Sequence, residues 1–334
     1  MRIAIVRLTS LGDVVHTLPV AHALRRQSPN AYIVWIVEER EQLLLVNNPA
    51  VDEVVLGPTR RWRRELRTPT GAIRVLKEWR GLKDRLRSLK LDVAIDVQGL
   101  LKSTLFTVLT RAPVRIGFGW CHARDPLSSL FTTHWVTPPP EAIHMVHKNL
   151  SLLEPLGISV EPIVFPLPVI PEAEHRAEAL LQAQGVTPHD RVVVLLPATR
   201  RRAKQWPPTY YRQLAERLAK ERGVYVLLVG APSEDDLLQR IARGLAGHRI
   251  LTYVPPLPDL TALLHRAHLA VGSDTGPLHM AAALGVPTIG LYGPTRSERN
   301  GPYGPRIRAI QSPTQAMEDI EVDVVFQSAL EWLA

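Results

Sequence analysis

Two short polar segments that follow apolar runs carry the residues best suited to group-transfer chemistry. The first, Thr9–His16 (TSLGDVVH), places Asp13 shortly after the run Arg2–Val6. A carboxylate at the carboxyl end of a strand can act as a general base toward a bound hydroxyl group. The spacing Ser10-x-x-Asp13 is also typical of a capping box, in which Asp13 only stabilises the start of a helix. On the residues alone, both interpretations of Asp13 stand.

The second segment, Ser273–His279 (SDTGPLH), has the composition of a helix start that binds an anion. Gly276 lets a ligand approach the backbone, and Pro277 favours a first helical turn. The free N–H groups of such a turn favour a phosphate. Either Ser273 or Asp274 is the predicted N-cap, and capping alone would explain these two residues.

Two further loops place charge where a nucleotide would bind. Residues 197–206 (PATRRRAKQW) supply four cations and the hydroxyl of Thr199, which predicts either a diphosphate clamp centred on Lys204 or a solvated basic loop. In residues 230–236 (GAPSEDD), the spacing of Ser233 and Asp236 predicts another capping box. The adjacent Glu234 is left open as an acceptor of hydrogen bonds from ribose hydroxyls.

Neither a metal site nor a dinucleotide site is indicated. His144 and His147 are three residues apart on a predicted helix, but no third ligand and no HExxH or CxxC pattern accompanies them. The chain also lacks a GxGxxG fingerprint. We therefore expect no metal ion and no cofactor.

The net charge of +8 is concentrated in residues 60–90, which hold 12 basic and 3 acidic side chains. Such a segment predicts an anionic partner, although a solvated basic helix would have the same composition. Arg60–Arg64 (RRWRR) is predicted as a loop, and the stretch after it as a helix with an apolar stripe and a basic face, which suits a domain core or an anionic bilayer. Only Trp62 and Trp79 interleave the charges, which does not favour stacking on single-stranded nucleic acid.

Short β-branched runs alternate with helical patterns, which predicts an α/β fold with parallel sheets. The predicted strands are Arg2–Val6, Tyr32–Val37, Val51–Leu56, Asp92–Asp96, Val192–Leu196, Tyr225–Val229, Leu269–Gly272 and Thr288–Leu291. The predicted helices are Leu11–Gln27, Ala142–Leu156, Pro208–Arg222, Asp235–Leu245, Asp259–Arg266 and Leu278–Leu284.

The proline-rich stretch Glu161–Glu172 is predicted to be an extended connector. It separates two Rossmann-like domains, residues 1–160 and 173–334, with a substrate cleft expected between them. No apolar stretch approaches the ~18 residues of a membrane span, and charged residues interrupt the N-terminal apolar run. The single cysteine, Cys121, excludes an intrachain disulfide, so a reducing cytoplasm is expected.

Taken together, these segments resemble the lipopolysaccharide heptosyltransferases of glycosyltransferase family 9. The resemblance spans nearly the whole chain and depends chiefly on Ser10–Pro19 (SLGDVVHTLP) and Asp274–His279 (DTGPLH), the latter continuing to Leu291–Thr295 (LYGPT). Three further features are similar to the branch that adds the first heptose: Arg60–Arg64, Asp96–Ser103 (DVQGLLKS) and Ala123–Phe131 (ARDPLSSLF).

The resemblance implies a GT-B architecture, with the acceptor on the N-terminal domain, the nucleotide-sugar on the C-terminal domain, and a last helix, about residues 322–333, that crosses back to the first domain. It implies inverting transfer of heptose from ADP-L-glycero-D-manno-heptose to the inner Kdo of Kdo2-lipid A, with Asp13 as the general base. It also implies peripheral membrane contact at the cytoplasmic face of the inner membrane, and no nucleic-acid partner.

The same resemblance assigns further side chains to the two substrates. The donor-binding positions are Thr199, Lys204, Glu234, Asp274, Thr275, Gly276 and His279, together with two departures from the family pattern, Arg200 in place of a second Thr and Leu257 near a common Met. The acceptor-binding positions are Arg60, Arg61, Arg63, Arg64, Gln98, Lys102 and Arg124.

Three alternatives remain open from the sequence. Within the family, the enzyme would add the second heptose or another sugar. A nucleotide-sugar epimerase has a similar two-domain fold and would turn over donor without an acceptor. A binding protein that uses residues 60–90 on a polyanion would not need Asp13.

Overall fold

In the computed structural model, which describes residues 1–245 and 249–333, the chain divides into two units, Met1–Pro168 and Val169–Ala334. Each unit is built on a six-stranded sheet. The paired strands of both sheets are parallel. Parallel sheets are usually covered on both faces, which agrees with the near-continuous apolar sequences of the central strands.

The sheet of the first unit has the strand order β3-β2-β1-β4-β5-β6. Its strands are β1 (Arg2–Val6), β2 (Tyr32–Val37), β3 (Glu53–Leu56), β4 (Val93–Asp96), β5 (Val114–Phe118) and β6 (His134–Val136). The order reverses between β1 and β4, where Val6 is paired with Asp96. The loops that leave these two strands therefore meet at one point, which is where ligands bind in sheets of this kind.

The helices of the first unit are α1 (Leu11–Val15), α2 (Leu18–Gln27), α3 (Thr59–Glu65), α4 (Pro69–Ser88), α5 (Leu101–Leu109) and α6 (Met145–Ser151). Trp62 of α3, Val75 of α4 and Phe106 of α5 share one buried cluster with residues of β1, β2 and β4. Short 3-10 segments lie at Gln42–Leu44, Pro126–Phe131 and Glu154–Leu156.

The second unit repeats this arrangement with the order β12-β11-β10-β7-β8-β9, and the order reverses between β7 and β10. Its strands are β7 (Val192–Leu196), β8 (Tyr225–Val229), β9 (Ile250–Tyr253), β10 (Leu269–Ser273), β11 (Thr288–Tyr292) and β12 (Ile307–Gln311). Gly272 of β10 is required by this packing, because a Cβ atom there would lie 2.8 Å from Cβ of Leu196.

The helices of the second unit are α7 (Pro171–Ala183), α8 (Pro208–Arg222), α9 (Asp235–Ala242), α10 (Leu257–Arg266), α11 (Gly276–Ala283), α12 (Ser297–Asn300) and α13 (Val322–Leu330). Short 3-10 segments lie at Arg202–Lys204, Pro232–Glu234 and Met317–Asp319. The last helix, α13, packs against α8 of the same unit, and its expected crossing to the first unit stays a prediction.

The structure corrects one part of the predicted organisation. Arg60–Arg64, predicted as a loop, lies within α3, because the buried Trp62 anchors this turn against the sheet. The predicted domain bounds and connector stay a prediction, although residues 161–170 of the proline-rich stretch form no helix or strand. The division between the units falls at Pro168, Asn48 donates a hydrogen bond to the carbonyl of Pro166, and Pro171 begins α7.

Candidate active site

Each unit carries a cluster of charged side chains where its strand order reverses. In the first unit, Asp13 lies in α1, just after β1. Its Oδ2 accepts hydrogen bonds from the backbone N–H of Ser10 at 2.9 Å and from the hydroxyl of Ser10 at 2.8 Å. The structure therefore confirms that Asp13 takes part in a capping box. Its side chain is still 27% exposed, so the carboxylate can also contact a ligand.

The other oxygen of Asp13 is paired with a residue that sequence reasoning missed. Nη2 of Arg7 lies 2.5 Å from Oδ1 of Asp13, and Nη1 of Arg7 donates to the carbonyl of Val97 at 2.7 Å. Arg7 is only 1% exposed, which is rare for an arginine unless it is paired. The available signal was a charged residue directly after an apolar strand, six residues before a carboxylate.

Opposing effects act on the pKa of Asp13. Burial opposes ionisation, but the Arg7 guanidinium, the two Ser10 hydrogen bonds and the charge of Arg124 outweigh it. Together they hold the pKa of the Asp13 carboxyl well below its usual range, so the carboxylate is ionised at neutral pH.

The loop after β4 is fixed by a buried carboxylate, Asp96. Its Oδ1 accepts from the N–H groups of Gln98 and Gly99, and Gly99 adopts a φ of +62° that favours glycine. Gln98 is 1% exposed, and its Oε1 accepts from the backbone N–H of Leu8. Gln98, predicted to bind the acceptor, therefore ties the ends of β1 and β4 together.

Arg124 lies in the electrostatic neighbourhood of Asp13, and Lys102 contacts Thr9 in the loop after β1. Nζ of Lys102 donates to the hydroxyl of Thr9 at 3.2 Å, and burial lowers the pKa of Lys102, assisted by the charges of Arg60 and Arg124. Arg124 is exposed and acts on the pKa of both Asp13 and Lys102. The structure thus brings three of the predicted residues, Asp13, Lys102 and Arg124, to the end of β1.

The four arginines of α3 differ in how they are held. Arg60 pairs with the buried Glu41 at 3.2 Å. Arg61 contacts three carboxylates, those of Glu39, Glu65 and Glu78. Arg63 and Arg64 are exposed, and neither has an ion pair within the described residues. Within this predicted acceptor segment, only Arg63 and Arg64 are available to a ligand without breaking an ion pair.

In the second unit, Lys204 and Asp274 meet across the reversal between β7 and β10. Nζ of Lys204 lies 2.6 Å from Oδ2 of Asp274, and Nε2 of His279 lies 3.2 Å from Oδ1. Burial opposes ionisation of Asp274, but His279 and Lys204 overcome it and lower the pKa of its carboxyl to about 2. The ionised carboxylate therefore orients one lysine and one histidine at the start of α11.

The start of α11 differs by one residue from the prediction. Ser273 ends β10 and Thr275 is the N-cap, so neither Ser273 nor Asp274 fills that position, because Asp274 is engaged by Lys204 and His279. The hydroxyl oxygen of Thr275 is buried and has no hydrogen-bond partner among the residues that the structure describes. With the N–H groups of the first turn from Gly276 onward, it forms a set of groups suited to a phosphate oxygen.

The remaining predicted donor positions lie in other loops and helix starts of the second unit. Thr199 is half-buried, and its hydroxyl donates to the carbonyl of Arg201, whereas Arg200 is exposed. Leu257 is half-buried and begins α10. At residues 230–236, the predicted Ser233–Asp236 capping box is wrong: Oε2 of Glu234 accepts from the backbone N–H of Ala231 at 2.7 Å, which makes Glu234 the capping residue.

Residues 1–245 and 249–333 contain no cluster of three or more side chains that could hold a metal ion. His144, one of the two histidines considered as ligands, caps α6 by accepting from the N–H of Val146. No helix in the described part of the chain is long and apolar enough to cross a membrane.

Comparison with known proteins places the chain in a family. A sequence profile of glycosyltransferase family 9 (heptosyltransferase) matches residues 79–329. The chain is 36% identical to lipopolysaccharide heptosyltransferase 1 of Pseudomonas aeruginosa over 91% of its own length and 82% of that protein. It is 30% identical to lipopolysaccharide heptosyltransferase 1 of Escherichia coli K12 over 98% of each chain.

A solved structure covers both units. The E. coli heptosyltransferase WaaC with ADP-2-deoxy-2-fluoro heptose matches with a TM-score of 0.82 and 30% identity over 99% of each chain. This match confirms the predicted α/β class with two Rossmann-like units of the GT-B type. The protein is a glycosyltransferase and belongs to glycosyltransferase family 9, the heptosyltransferases.

Proposed function

We propose that the protein transfers L-glycero-D-manno-heptose from ADP-heptose to the inner Kdo of Kdo2-lipid A, with inversion at the transferred carbon. Relatives named lipopolysaccharide heptosyltransferase 1, at 30–36% identity, support this substrate pair. The observation that carries the proposal is the partly exposed carboxylate of Asp13, held at the end of β1 within the field of Arg124 and near the loop residue Thr9, which Lys102 contacts.

Asp13 acts as the general base toward the acceptor hydroxyl. Because Arg7 and Ser10 keep its pKa low, the carboxylate is ionised but weakly basic in the resting enzyme. It therefore accepts the proton only as the hydroxyl bonds to the sugar and becomes acidic. The ion pair with Arg7 fixes one carboxylate oxygen and orients the group for that transfer.

Lys204, His279 and the start of α11 stabilise the leaving diphosphate of the donor. Negative charge grows on the diphosphate as the sugar–phosphate bond breaks in an oxocarbenium-like transition state. A lysine that Asp274 already orients provides a cation without reorganisation. Thr275 and Gly276 would bind phosphate oxygens, Thr199 and Arg200 would bind the same diphosphate, Glu234 the ribose, and Leu257 the adenine.

The acceptor is expected on the first unit, where cationic side chains outnumber anionic ones. Lys102 and Arg124 would bind a carboxylate or phosphate of the acceptor beside Asp13, and Arg63 and Arg64 would extend this surface. Because the acceptor is a membrane lipid, we propose peripheral contact with the cytoplasmic face of the inner membrane.

Release of ADP from ADP-heptose by the purified protein tests the function, measured with and without deacylated Kdo2-lipid A. We expect release that depends on the acceptor. Release that is equally fast without the acceptor would contradict transfer to Kdo. Conversion of the donor with no acceptor and no ADP release would instead support an epimerase.

A further inference from the structure

We propose that α5 and the 3-10 segment Pro126–Phe131 form a surface that docks on an anionic lipid bilayer. The two elements pack against each other in the first unit. Six large apolar side chains on them are 40–62% exposed, and we call this set the apolar patch: Leu101, Leu105, Val108, Leu127, Leu130 and Phe131.

Apart from the buried Phe106, helix α5 departs from the pattern expected for a helix that faces water. Ser103, Thr104 and Thr107 point inward and are at most 1% exposed. Leu101, Leu105 and Val108 recur at the spacing i, i+4, i+7, which places them on one face of the helix, and that face is exposed. A surface helix normally turns its apolar stripe to the core.

The inward hydroxyls have a structural explanation, whereas the outward apolar side chains have none within the fold. Ser103 and Thr104 both donate to Oδ2 of the buried Asp96, at 3.1 Å and 2.8 Å. These bonds satisfy a carboxylate that fixes the loop after β4. Leu105 and Val108 stay 46% and 40% exposed among the described residues, and exposed apolar surface of this kind marks a binding face.

The charge around the apolar patch selects the partner. Residues 99–136 carry four basic side chains, Lys102, Arg111, Arg115 and Arg124, and one acidic side chain, Asp125. Peripheral proteins bind anionic bilayers through two features. Their apolar side chains enter the boundary between headgroups and acyl chains, and their cations contact the acidic headgroups. A nucleic acid would use the cations but would leave the leucines in water.

The position of the patch connects docking with the proposed chemistry. Helix α5 begins one residue before Lys102, which contacts Thr9 after β1. The 3-10 segment begins two residues after Arg124, whose charge acts on Asp13. Docking through the patch would bring a lipid headgroup to the end of β1, and this part of the inference rests on the proposed function.

Vesicle binding of the full-length protein tests the surface independently of activity. We expect the wild-type protein to cosediment with phosphatidylethanolamine–phosphatidylglycerol vesicles and much less with phosphatidylcholine vesicles. Leu105→Gln with Val108→Gln should lower the partition coefficient by about tenfold or more, because two apolar side chains no longer leave water. Leu127→Gln with Leu130→Gln, on the other element, should do the same.

A matched control uses exposed apolar residues of the same unit outside the patch. Leu43 and Val46 are 41% and 39% exposed, so Leu43→Gln with Val46→Gln makes the same chemical change elsewhere. This control should bind vesicles like the wild type. Thermal unfolding identifies a patch variant that does not fold, in which case the variant on the other element decides.

Three results would overturn the proposal. The first is a wild-type protein that does not bind anionic vesicles, and the second is a pair of folded patch variants that bind them as the wild type does. The third is a wild-type dimer that the patch substitutions convert to a monomer, which would show that a second copy of the chain covers the patch.

Activity measurements separate this inference from the proposed function. The patch variants should retain turnover of the deacylated, water-soluble acceptor and lose turnover of Kdo2-lipid A embedded in vesicles. If the wild type fails to use the deacylated acceptor, the proposed function is wrong, and vesicle partition still decides whether the patch binds lipid.

Discussion

The two units place a carboxylate–cation pair at the same point of the same fold, yet they present opposite members of the pair. In the first unit the cation is buried, since the side chain of Arg7 is 1% exposed and that of Asp13 is 27% exposed. In the second unit the carboxylate is the less exposed member, with Asp274 at 12% and Lys204 at 19%.

This difference in burial decides what each pair can offer a ligand. A buried guanidinium cannot reach a substrate, so it can only fix and ionise the carboxylate in front of it, which is the arrangement that a base requires. A lysine in front of a less exposed carboxylate is instead a preorganised cation, which suits a diphosphate. Under the proposed function, the same strand order would thus provide a proton acceptor in one unit and an anion site in the other.

The largest expected effect on turnover comes from removing the carboxylate of Asp13, the more exposed member of the first pair. Asp13→Asn keeps the size of the side chain but removes its ability to accept a proton, so we expect acceptor-dependent turnover to fall by about 10³-fold. The dissociation constant for ADP should stay unchanged, because the donor cluster lies in the second unit. A fixed-time assay of ADP release measures the turnover, and calorimetric titration with ADP measures the dissociation constant.

A matched control for this substitution is Asp52→Asn, since Asp52 also pairs with an arginine of the first unit, Arg25, at 2.5 Å. We expect this control to retain activity. Turnover of Asp13→Asn within tenfold of the wild type would mean that another group accepts the proton.

Removing the ammonium group of Lys204, the more exposed member of the second pair, should weaken ADP binding and leave acceptor binding unchanged. Lys204→Met should raise the dissociation constant for ADP by about 10- to 100-fold, because a charge-assisted hydrogen bond is worth about 1.5–3 kcal/mol. Binding of the deacylated acceptor should not change. Lys220→Met is the control, since Lys220 pairs with Glu216 on the exposed face of α8. An unchanged ADP affinity in Lys204→Met would refute the clamp.

Substitution of Arg7, the buried member of the first pair, should change the pH dependence of kcat/KM rather than the affinity for a substrate. Without the guanidinium of Arg7, a main cause of the lowered pKa of Asp13 is lost and this pKa rises, so the acid limb of the kcat/KM profile should move to higher pH. Arg7→Met should therefore lose more activity at pH 5 than at pH 8, whereas Arg7→Lys should keep the limb near its original position. Identical normalised profiles for the wild type and Arg7→Met would show that the pair does not tune the base.

The same substitution has a consequence for stability whose sign follows from the lowered pKa. A carboxyl with a depressed folded-state pKa stabilises the protein above its unfolded-state pKa and loses that contribution as the pH falls through the folded value. Arg7→Met should thus be destabilised at pH 7 and should show a weaker loss of stability on acidification than the wild type. Urea unfolding at several pH values measures this difference.

The sequence predicted seven inner strands and the edge strand β3, and it missed the inner strand β5 and the edge strands β6, β9 and β12. The strands β1, β7, β8 and β10 are buried apolar runs, and their predicted bounds agree with the structure to within a residue. The three missed edge strands are less buried than these four, which weakens their apolar signal. An apolar run therefore predicts a strand best where both faces of the sheet are covered.

Motif spacing predicted the candidate ligand-binding and catalytic residues better than the residues that position them. Asp13, Lys204 and Asp274 follow strands in recognisable patterns, and the strand order brings them to the two reversal points. Arg7 was missed because its role depends on Val97, 90 residues away along the chain, and on burial that a single charged letter does not reveal. The helical state of Arg60–Arg64 was missed because Trp62 acts through tertiary packing.

The smallest expected effects distinguish two kinds of arginine within α3. Arg63→Gln with Arg64→Gln should raise the KM for the deacylated acceptor by about two- to fivefold, since exposed charges interact weakly with a ligand through water. The melting temperature should stay the same, because neither arginine has an ion pair within the described residues of the first unit.

Arg61→Gln should show the reverse, because Arg61 bridges Glu39, Glu65 and Glu78 and thereby joins α3 to α4. Losing this partly exposed network should cost about 1 kcal/mol and lower the melting temperature by about 2–4 °C, with little change in the KM for the acceptor. Equal effects of the two variants on KM would mean that Arg61 leaves its carboxylates to contact the acceptor. In that case the exposure of a charged group of α3 would not decide whether it contacts the substrate, although burial would still distinguish Arg7 from Asp13.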